Sequence, residues 1–288
     1  MNKQQTIKKY YNQKEKLTLK NRKYLKQVKR LTEDFLLEDL DDKGDVTSDT
    51  VIQGNPKVTA IIKTKESGIL AGLEETRWFL KKFKIQSSEF KKDGAKIKKG
   101  DNILKLSGGI KDILKVERTI INLMQRTSGI ATQTNKLVKK VGKNVLVVPT
   151  RKTQWGLVDK KAVTLGGGGT HRLGLYDWIL IKDNHIKLSD PKSYVISPKS
   201  FWEIECKTKS QVLKYVKQKP DAIMFDNFKP ESIKKIIKQI GKTNIIFEAS
   251  GNITEKNITS YAKSGVNVIS LGSLTHSVKS LDISLDII

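Results

Sequence analysis

The sequence predicts an α/β protein whose C-terminal half is a parallel sheet covered by helices and arranged as a barrel. Three observations lead there. From Asn144 onward, apolar runs alternate with amphipathic stretches, and strand candidates end near Thr150, Lys182, Glu205, Asp226, Ser250 and Gly272. Repeated βα units of this kind build parallel sheets. The later strand ends arrive at near-even spacing, each carrying a polar or small residue, and in a barrel of βα units those ends share one mouth where chemistry sits. Finally, charges terminate apolar strands: Arg151 and Lys152 follow the run 145–148, and Lys182 follows 178–181. A charge at the end of a buried strand is costly unless a ligand or partner meets it.

The remaining elements follow in order. Residues 1–30 hold eleven Lys and Arg against one acid, Glu15, and read as a solvated basic extension. Residues 31–40 read as a helix, closed by an acidic turn from Glu38 to Asp45. Short strands are expected at 58–62, 68–71 and 102–106, with Asp93-Gly94 and Lys99-Gly100-Asp101 as turns between them. Ile113, Val116, Ile120, Leu123 and Met124 recur at helical spacing across 113–140, with a break expected near Ser128-Gly129. Helices are expected at 210–219, 230–240 and 254–264. Along the strand 202–206, Glu203 and Glu205 share one face while Trp202, Ile204 and Cys206 share the other. Cys206 therefore faces the outer helices as a buried thiol.

Composition narrows the class. The chain has 288 residues, 37% hydrophobic and 30% charged, with a net charge of +25. That fits a soluble globular protein of one large domain, or of a large and a small one. A single cysteine excludes an internal disulfide and suits a reducing compartment. The first residues lack the apolar core of a secretory signal, and no apolar run approaches a membrane span. A cytoplasmic location is expected, with no membrane partner. The basic extension could bind nucleic acid through its field, but it lacks Arg-Gly, zinc and aromatic-stacking patterns, so no nucleic-acid partner is expected.

The chemistry concentrates between 150 and 185. Arg151, Lys152, His171, Arg172, Lys182 and His185 lie there beside the run Gly166-Gly167-Gly168-Gly169, and two of the chain's three histidines are among them. Arg supplies planar paired donors for carboxylate or phosphate and Lys a mobile charge, so the cluster points to a small polyanion. Glu205 and Asp226, at neighbouring strand ends, offer hard oxygen ligands suited to Mg²⁺. Ser250-Gly251-Asn252 and Leu271-Gly272-Ser273 end the last two strands. Glycine there lets backbone N–H groups approach an anion, as in barrels that hold a phosphate after strands seven and eight. The combination fits a reaction between a small acidic molecule and a phosphorylated, metal-bound partner.

These residues also carry a family resemblance. Thr150-Arg151-Lys152-Thr153, Gly166-Gly167-Gly168, His171-Arg172 and Ile181-Lys182-Asp183-Asn184-His185 resemble the quinolinate phosphoribosyltransferases. So do Glu117-Arg118-Thr119, Ser128-Gly129-Ile130-Ala131-Thr132, Glu203-Ile204-Glu205, Asp226-Asn227-Phe228, Glu248-Ala249-Ser250-Gly251 and Thr275-His276-Ser277. The resemblance runs in order from about residue 31 to 280. It implies a small N-terminal α/β sandwich domain plus an incomplete α/β barrel. The expected division is a basic extension at 1–30, a sandwich domain with linking helices at 31–143 (116–143 belonging to either part), and a barrel at 144–288.

The resemblance further implies a homodimer or larger homo-oligomer that joins quinolinate to phosphoribosyl pyrophosphate and releases pyrophosphate and CO₂ to give nicotinate mononucleotide. Arg118, Arg151, His171, Arg172 and Lys182 would bind the quinolinate carboxylates, with Arg118 arriving from the neighbouring subunit. Thr150, Lys152, Ser250, Gly251, Asn252, Leu271, Gly272 and Ser273 would hold phosphoribosyl pyrophosphate, and Glu205 and Asp226 would hold Mg²⁺ and the pyrophosphate. Two departures stand out. The segment Gln154-Trp155-Gly156-Leu157-Val158-Asp159 has Trp where the family has Pro and lacks the Arg that follows it. Asn252 replaces the usual second Gly, a mild change because Asn tolerates the left-handed region. The alternative reading is a related transferase acting on a different acidic acceptor.

Overall fold

The computed structural model describes residues 1–188, 196–197 and 199–288. Helices α1 (Lys3–Tyr11), α2 (Arg22–Leu40) and α3 (Val46–Val51) come first. Strands β1 (Lys57–Thr64) and β2 (Gly68–Ile69), helix α4 (Leu73–Lys81), and strands β3 (Gln86–Glu89), β4 (Lys96–Ile97) and β5 (Asn102–Gly109) follow. A long helix, α5 (Ile110–Val141), leads into the alternating half. There the order is β6 (Leu146–Pro149), α6 (Leu157–Leu165), β7 (Ile179–Ile181), α7 (Asp183–Leu188), β8 (Trp202–Cys206) and α8 (Lys209–Val216). It continues with β9 (Ala222–Asp226), α9 (Pro230–Ile240), β10 (Ile246–Ser250), α10 (Ile258–Ala262), β11 (Val268–Leu271), α11 (Ser273–His276) and β12 (Ile283–Ile287).

The chain forms two compact units, neither contiguous in sequence. The sandwich unit takes Glu15–Asn135, Gln154–Gly167 and Ser277–Ile288; the barrel unit takes Met1–Lys14, Lys136–Thr153 and Gly168–His276. This differs from a division at residues 30 and 143, for local reasons. Residues 1–14 are not a solvated extension, because Ile7 and Tyr11 of α1 are buried in the barrel unit's core. α6 joins the sandwich unit, where Lys161 pairs with Glu74 and Glu75 and Asp159 with Arg126. β12 pairs antiparallel with β1, which returns the end of the chain to the first sheet.

In the sandwich unit the antiparallel sheet runs β12-β1-β5-β3. Its core gathers Ala60, Ile62, Leu104 and Leu106 from the sheet and Ile113, Val116, Ile120 and Met124 from α5. The helical spacing of the latter is why α5 buries one face. No break occurs near Ser128-Gly129, since α5 continues to Val141. A Cβ at Gly129 would fall 2.2 Å from the Lys279 carbonyl oxygen, so this glycine permits a close backbone approach rather than ending a helix.

In the barrel unit six parallel strands are ordered β6-β11-β10-β9-β8-β7, and among the described residues β6 and β7 are its open edges. Val148, Leu180, Ala222, Met224, Ile246 and Val268 fill its core together with Ile7 and Tyr11. Because all six strands are parallel, their C-terminal ends lie on one side. Cys206 is buried as expected, and burial followed by the charges of Glu205 and Glu203 pushes its thiol up to about 12.

Candidate active site

The strand ends of the barrel unit surround a cavity of about 840 Å³. Thr150, Arg151, Lys152, His171, Arg172, Lys182, Glu205, Asp226, Ser250, Gly251, Asn252, Leu271, Gly272 and Ser273 all line it, as expected from sequence. Arg118 does not. It is exposed on α5, within the sandwich unit.

The cationic side is electrostatically tense. Burial, then the charge of Arg151, pulls the Arg172 guanidinium below its usual range. Two guanidiniums that repel one another inside a pocket are poised for an anion that relieves the repulsion. Arg172 donates to the Trp178 carbonyl at 3.4 Å and packs 5.9 Å from the Trp178 ring. Lys182 Nζ pairs with Glu205, and the Lys182 backbone N–H donates to His185 Nδ1 at 2.9 Å. Glu205 therefore neutralises one lysine while facing the cavity beside Asp226.

The opposite wall is built from backbone. Asn227 and Asn252 both have positive φ, +60° and +53°, and Asn252 Nδ2 donates to Asn227 Oδ1 at 2.9 Å. The Asn227 backbone N–H donates to the Ser250 carbonyl at 2.9 Å. A Cβ on Gly251 would sit 2.3 Å from Asn227 Oδ1, so only glycine fits between these two turns. Behind Gly272, the Thr275 hydroxyl donates to the Lys152 carbonyl at 2.9 Å, tying α11 to the loop after β6. The result is a glycine-lined cradle of the sort that accepts a phosphate.

His171 lines the cavity as the sequence suggested, and it also makes a second set of approaches within the barrel unit. Both of its ring nitrogens are buried. Nε2 points inward, 3.3 Å from Glu248 Oε2 and 3.8 Å from Glu203 Oε2. Both carboxylates are fully buried. Burial, then the neighbouring Glu248 charge, pushes the Glu203 carboxyl well above the usual carboxylate range. These two acids and the lining residues Asn227 and His276 carried no assigned role in the sequence reading. Two signals were available: Glu203 shares the inward face with Glu205, and His276 is the third of the chain's three histidines.

The sandwich unit explains the departure at Trp155. Trp155 packs over the Arg126 guanidinium at 4.8 Å and against Phe35 at 5.1 Å. Asp159 accepts from Arg126 through two bonds of 3.0 Å and from the backbone N–H groups of Gln154 and Trp155 at 3.0 and 3.1 Å. The loop is thus held by a bidentate ion pair beneath an aromatic lid.

Comparison with known proteins agrees with this architecture. Residues 45–128 match the model of the quinolinate phosphoribosyl transferase N-terminal domain, and 130–286 match that of the C-terminal domain. A probable nicotinate-nucleotide pyrophosphorylase (carboxylating) of Methanocaldococcus jannaschii is 43% identical, over 85% of this chain and 92% of that protein. Its Bacillus subtilis counterpart, also named as probable, is 40% identical, over 91% and 93%. The solved nicotinate-nucleotide pyrophosphorylase of Francisella tularensis superposes with a TM-score of 0.85 at 34% identity, covering 91% of this chain and 96% of that one. With both domain models matched across most of its length, the chain belongs to the quinolinate phosphoribosyl transferase family.

Proposed function

We propose that the cavity binds quinolinate against Arg151, Arg172 and Lys182, and phosphoribosyl pyrophosphate against Lys152, the loop Ser250-Gly251-Asn252 and the loop Leu271-Gly272-Ser273. The enzyme transfers the phosphoribosyl group to quinolinate with decarboxylation, giving nicotinate mononucleotide, the activity of its family. One observation carries the assignment of roles: cations that repel one another, two strand-end carboxylates and a glycine cradle share a single cavity.

The bond from ribose C1 to the pyrophosphate oxygen breaks, and the pyridine nitrogen of quinolinate forms a new bond to C1. As the departing pyrophosphate gathers charge, Lys152, which lines the cavity beside Thr150, offsets it. Attack leaves a pyridinium, which accepts the electron pair released when the adjacent carboxylate departs as CO₂. A proton then takes the carboxylate's place on the ring. Arg151 and Arg172 hold the acceptor's carboxylates and fix the nitrogen toward C1, which makes positioning the main contribution of these residues. Glu205 and Asp226 supply hard oxygen donors that fit Mg²⁺, which when bound adds positive charge at the pyrophosphate.

Purified protein with quinolinate, phosphoribosyl pyrophosphate and Mg²⁺ should form nicotinate mononucleotide. Preference for nicotinate over quinolinate in direct competition would overturn the dicarboxylate assignment and favour a different acidic acceptor.

The proposal extends to a homo-oligomer in which Arg118 serves a neighbouring subunit's cavity. What supports it is that Arg118 is exposed on α5 and absent from the cavity lining. Mixing inactive Arg118→Ala with inactive Lys182→Ala protein should restore part of the activity, because hybrids hold one complete site. Continued inactivity of subunits shown to exchange would sink that idea.

A further inference from the structure

Beneath the acceptor side of the cavity lies a buried group of polar side chains that the reaction does not use directly. Glu203 on β8 and Glu248 on β10 point into the barrel unit from either side of β9, where Ala222 is the register neighbour of Glu203 and Met224 that of Glu248. His171 Nε2 reaches both acids. Tyr11, at the end of α1, is fully buried, and its ring meets the His171 ring edge-on with centroids 5.4 Å apart. Burial, then the Glu203 and Glu248 charges, pushes the Tyr11 hydroxyl well above its ordinary range, so it keeps its proton.

The same helix end holds the backbone of the acceptor segment. The N–H groups of Thr170 and His171 both donate to the Tyr11 carbonyl, at 2.7 and 3.1 Å. The Gln13 N–H donates to the Thr170 hydroxyl at 3.1 Å. A Cβ on Gly169 would fall 2.4 Å from the Tyr11 oxygen, so the last residue of the glycine run serves this contact. His171 itself sits at φ +52°, a conformation that a non-glycine residue keeps only when its surroundings enforce it. Arg172, the next residue, faces the cavity and feels the Glu203 charge.

We propose that Tyr11, Glu203 and Glu248 form a positioning cluster that locks the strained His171-Arg172 segment in the conformation that receives the acceptor's carboxylates. The N-terminal helix, so basic in composition, then acts as the floor of the catalytic unit. This inference rests on the functional reading above. It assigns these residues no contact with substrate; they act through His171 and Arg172.

The test uses the full chain with the near-isosteric changes Glu248→Gln and Tyr11→Phe, each measured for kcat, for both KM values and for thermal stability. Glu248→Gln alters the group that lies 3.3 Å from His171 Nε2 and should raise the quinolinate KM about tenfold or more. Tyr11→Phe keeps the ring packing and so should fold; taking the buried neutral hydroxyl out of the cluster predicts a smaller rise, about threefold. The KM for phosphoribosyl pyrophosphate should stay the same in both variants. Lower stability with an unchanged quinolinate KM would reduce the cluster to a structural role and overturn the proposal. An equal rise in both KM values would also overturn it, as would a stoichiometric transition-metal ion in the purified protein, since His171, Glu203 and Glu248 offer donor atoms within 4.8 Å of one another. Wild-type enzyme unable to turn over quinolinate would refute the functional reading and this inference together. Active wild type with indifferent variants would refute the inference alone.

Discussion

Two buried charge systems in this molecule solve opposite problems. In the sandwich unit, Asp159 is fully buried yet accepts four hydrogen bonds, two from Arg126 and two from backbone N–H groups. Lys161 is paired with Glu74 and Glu75, and although burial pulls its ammonium down, those two carboxylates outweigh burial and raise it. In the barrel unit, Arg172 and Arg151 repel each other, and the Glu203 and Glu248 oxygens lie outside hydrogen-bond geometry among the described residues. A charge surrounded by partners serves the fold. A charge left in tension is kept for something the fold does not supply, because an unsatisfied buried group costs stability that only a ligand or a positional role recovers.

Removing a satisfied partner should do the greatest damage. Asp159→Ala removes the carboxylate that takes both guanidinium bonds of the nearly buried Arg126, and should destabilise the protein by about 3–5 kcal/mol in a denaturant titration. The protein that remains folded should keep its KM values. A mild loss would mean that the ion pair is not what holds the Trp155 loop.

Removing a tense charge should show the reverse. Arg172→Ala should cut quinolinate turnover by about tenfold or more, the worth of a charge-assisted hydrogen bond, while the melting temperature holds or rises. Glu205→Ala and Asp226→Ala should instead shift the Mg²⁺ and phosphoribosyl pyrophosphate dependence and spare quinolinate binding. If Arg172→Ala destabilises the protein as much as Asp159→Ala does, the contrast between the two systems collapses.

The smallest effect concerns Asp93, which caps α4 by accepting from the backbone N–H groups of Leu73 and Glu74. Burial, then the Glu75 charge, raises its carboxyl to about 6. A carboxyl raised in the folded state binds its proton more tightly there than in the unfolded chain. Its ionisation therefore costs stability above pH about 6, and that cost is relieved as pH falls from there toward the ordinary carboxylate value. The melting temperature of wild type relative to Asp93→Asn should accordingly rise between pH 7 and pH 5. A flat difference would show that the α4 N-terminus stabilises the carboxylate enough to cancel its burial.

The parallel half of the fold was legible because its signals are local. Apolar strands ending in Thr150, Asp226 and Ser250 carry their own periodicity, and a parallel sheet necessarily gathers such ends on one side. All the expected cavity residues except Arg118 come together for that reason. α5 shows where local reading failed: Gly129 resembles a break, but its missing side chain answers to Lys279, far along the chain.

By itself, then, the sequence determined the βα repeat, the strand-end charges and the glycine cradle, since each depends on residues close together along the chain. Only the tertiary structure decided that basic residues 1–14 belong to the barrel unit, that α6 and β12 return to the sandwich unit, and that His171 turns inward toward Glu203 and Glu248. Those outcomes depend on which distant groups meet: the Tyr11 carbonyl with Thr170, Arg126 with Asp159, β1 with β12. Periodicity does not encode such meetings. They are set by the packing that buries Tyr11 and Asp159 and decides which polar groups find a partner across the fold.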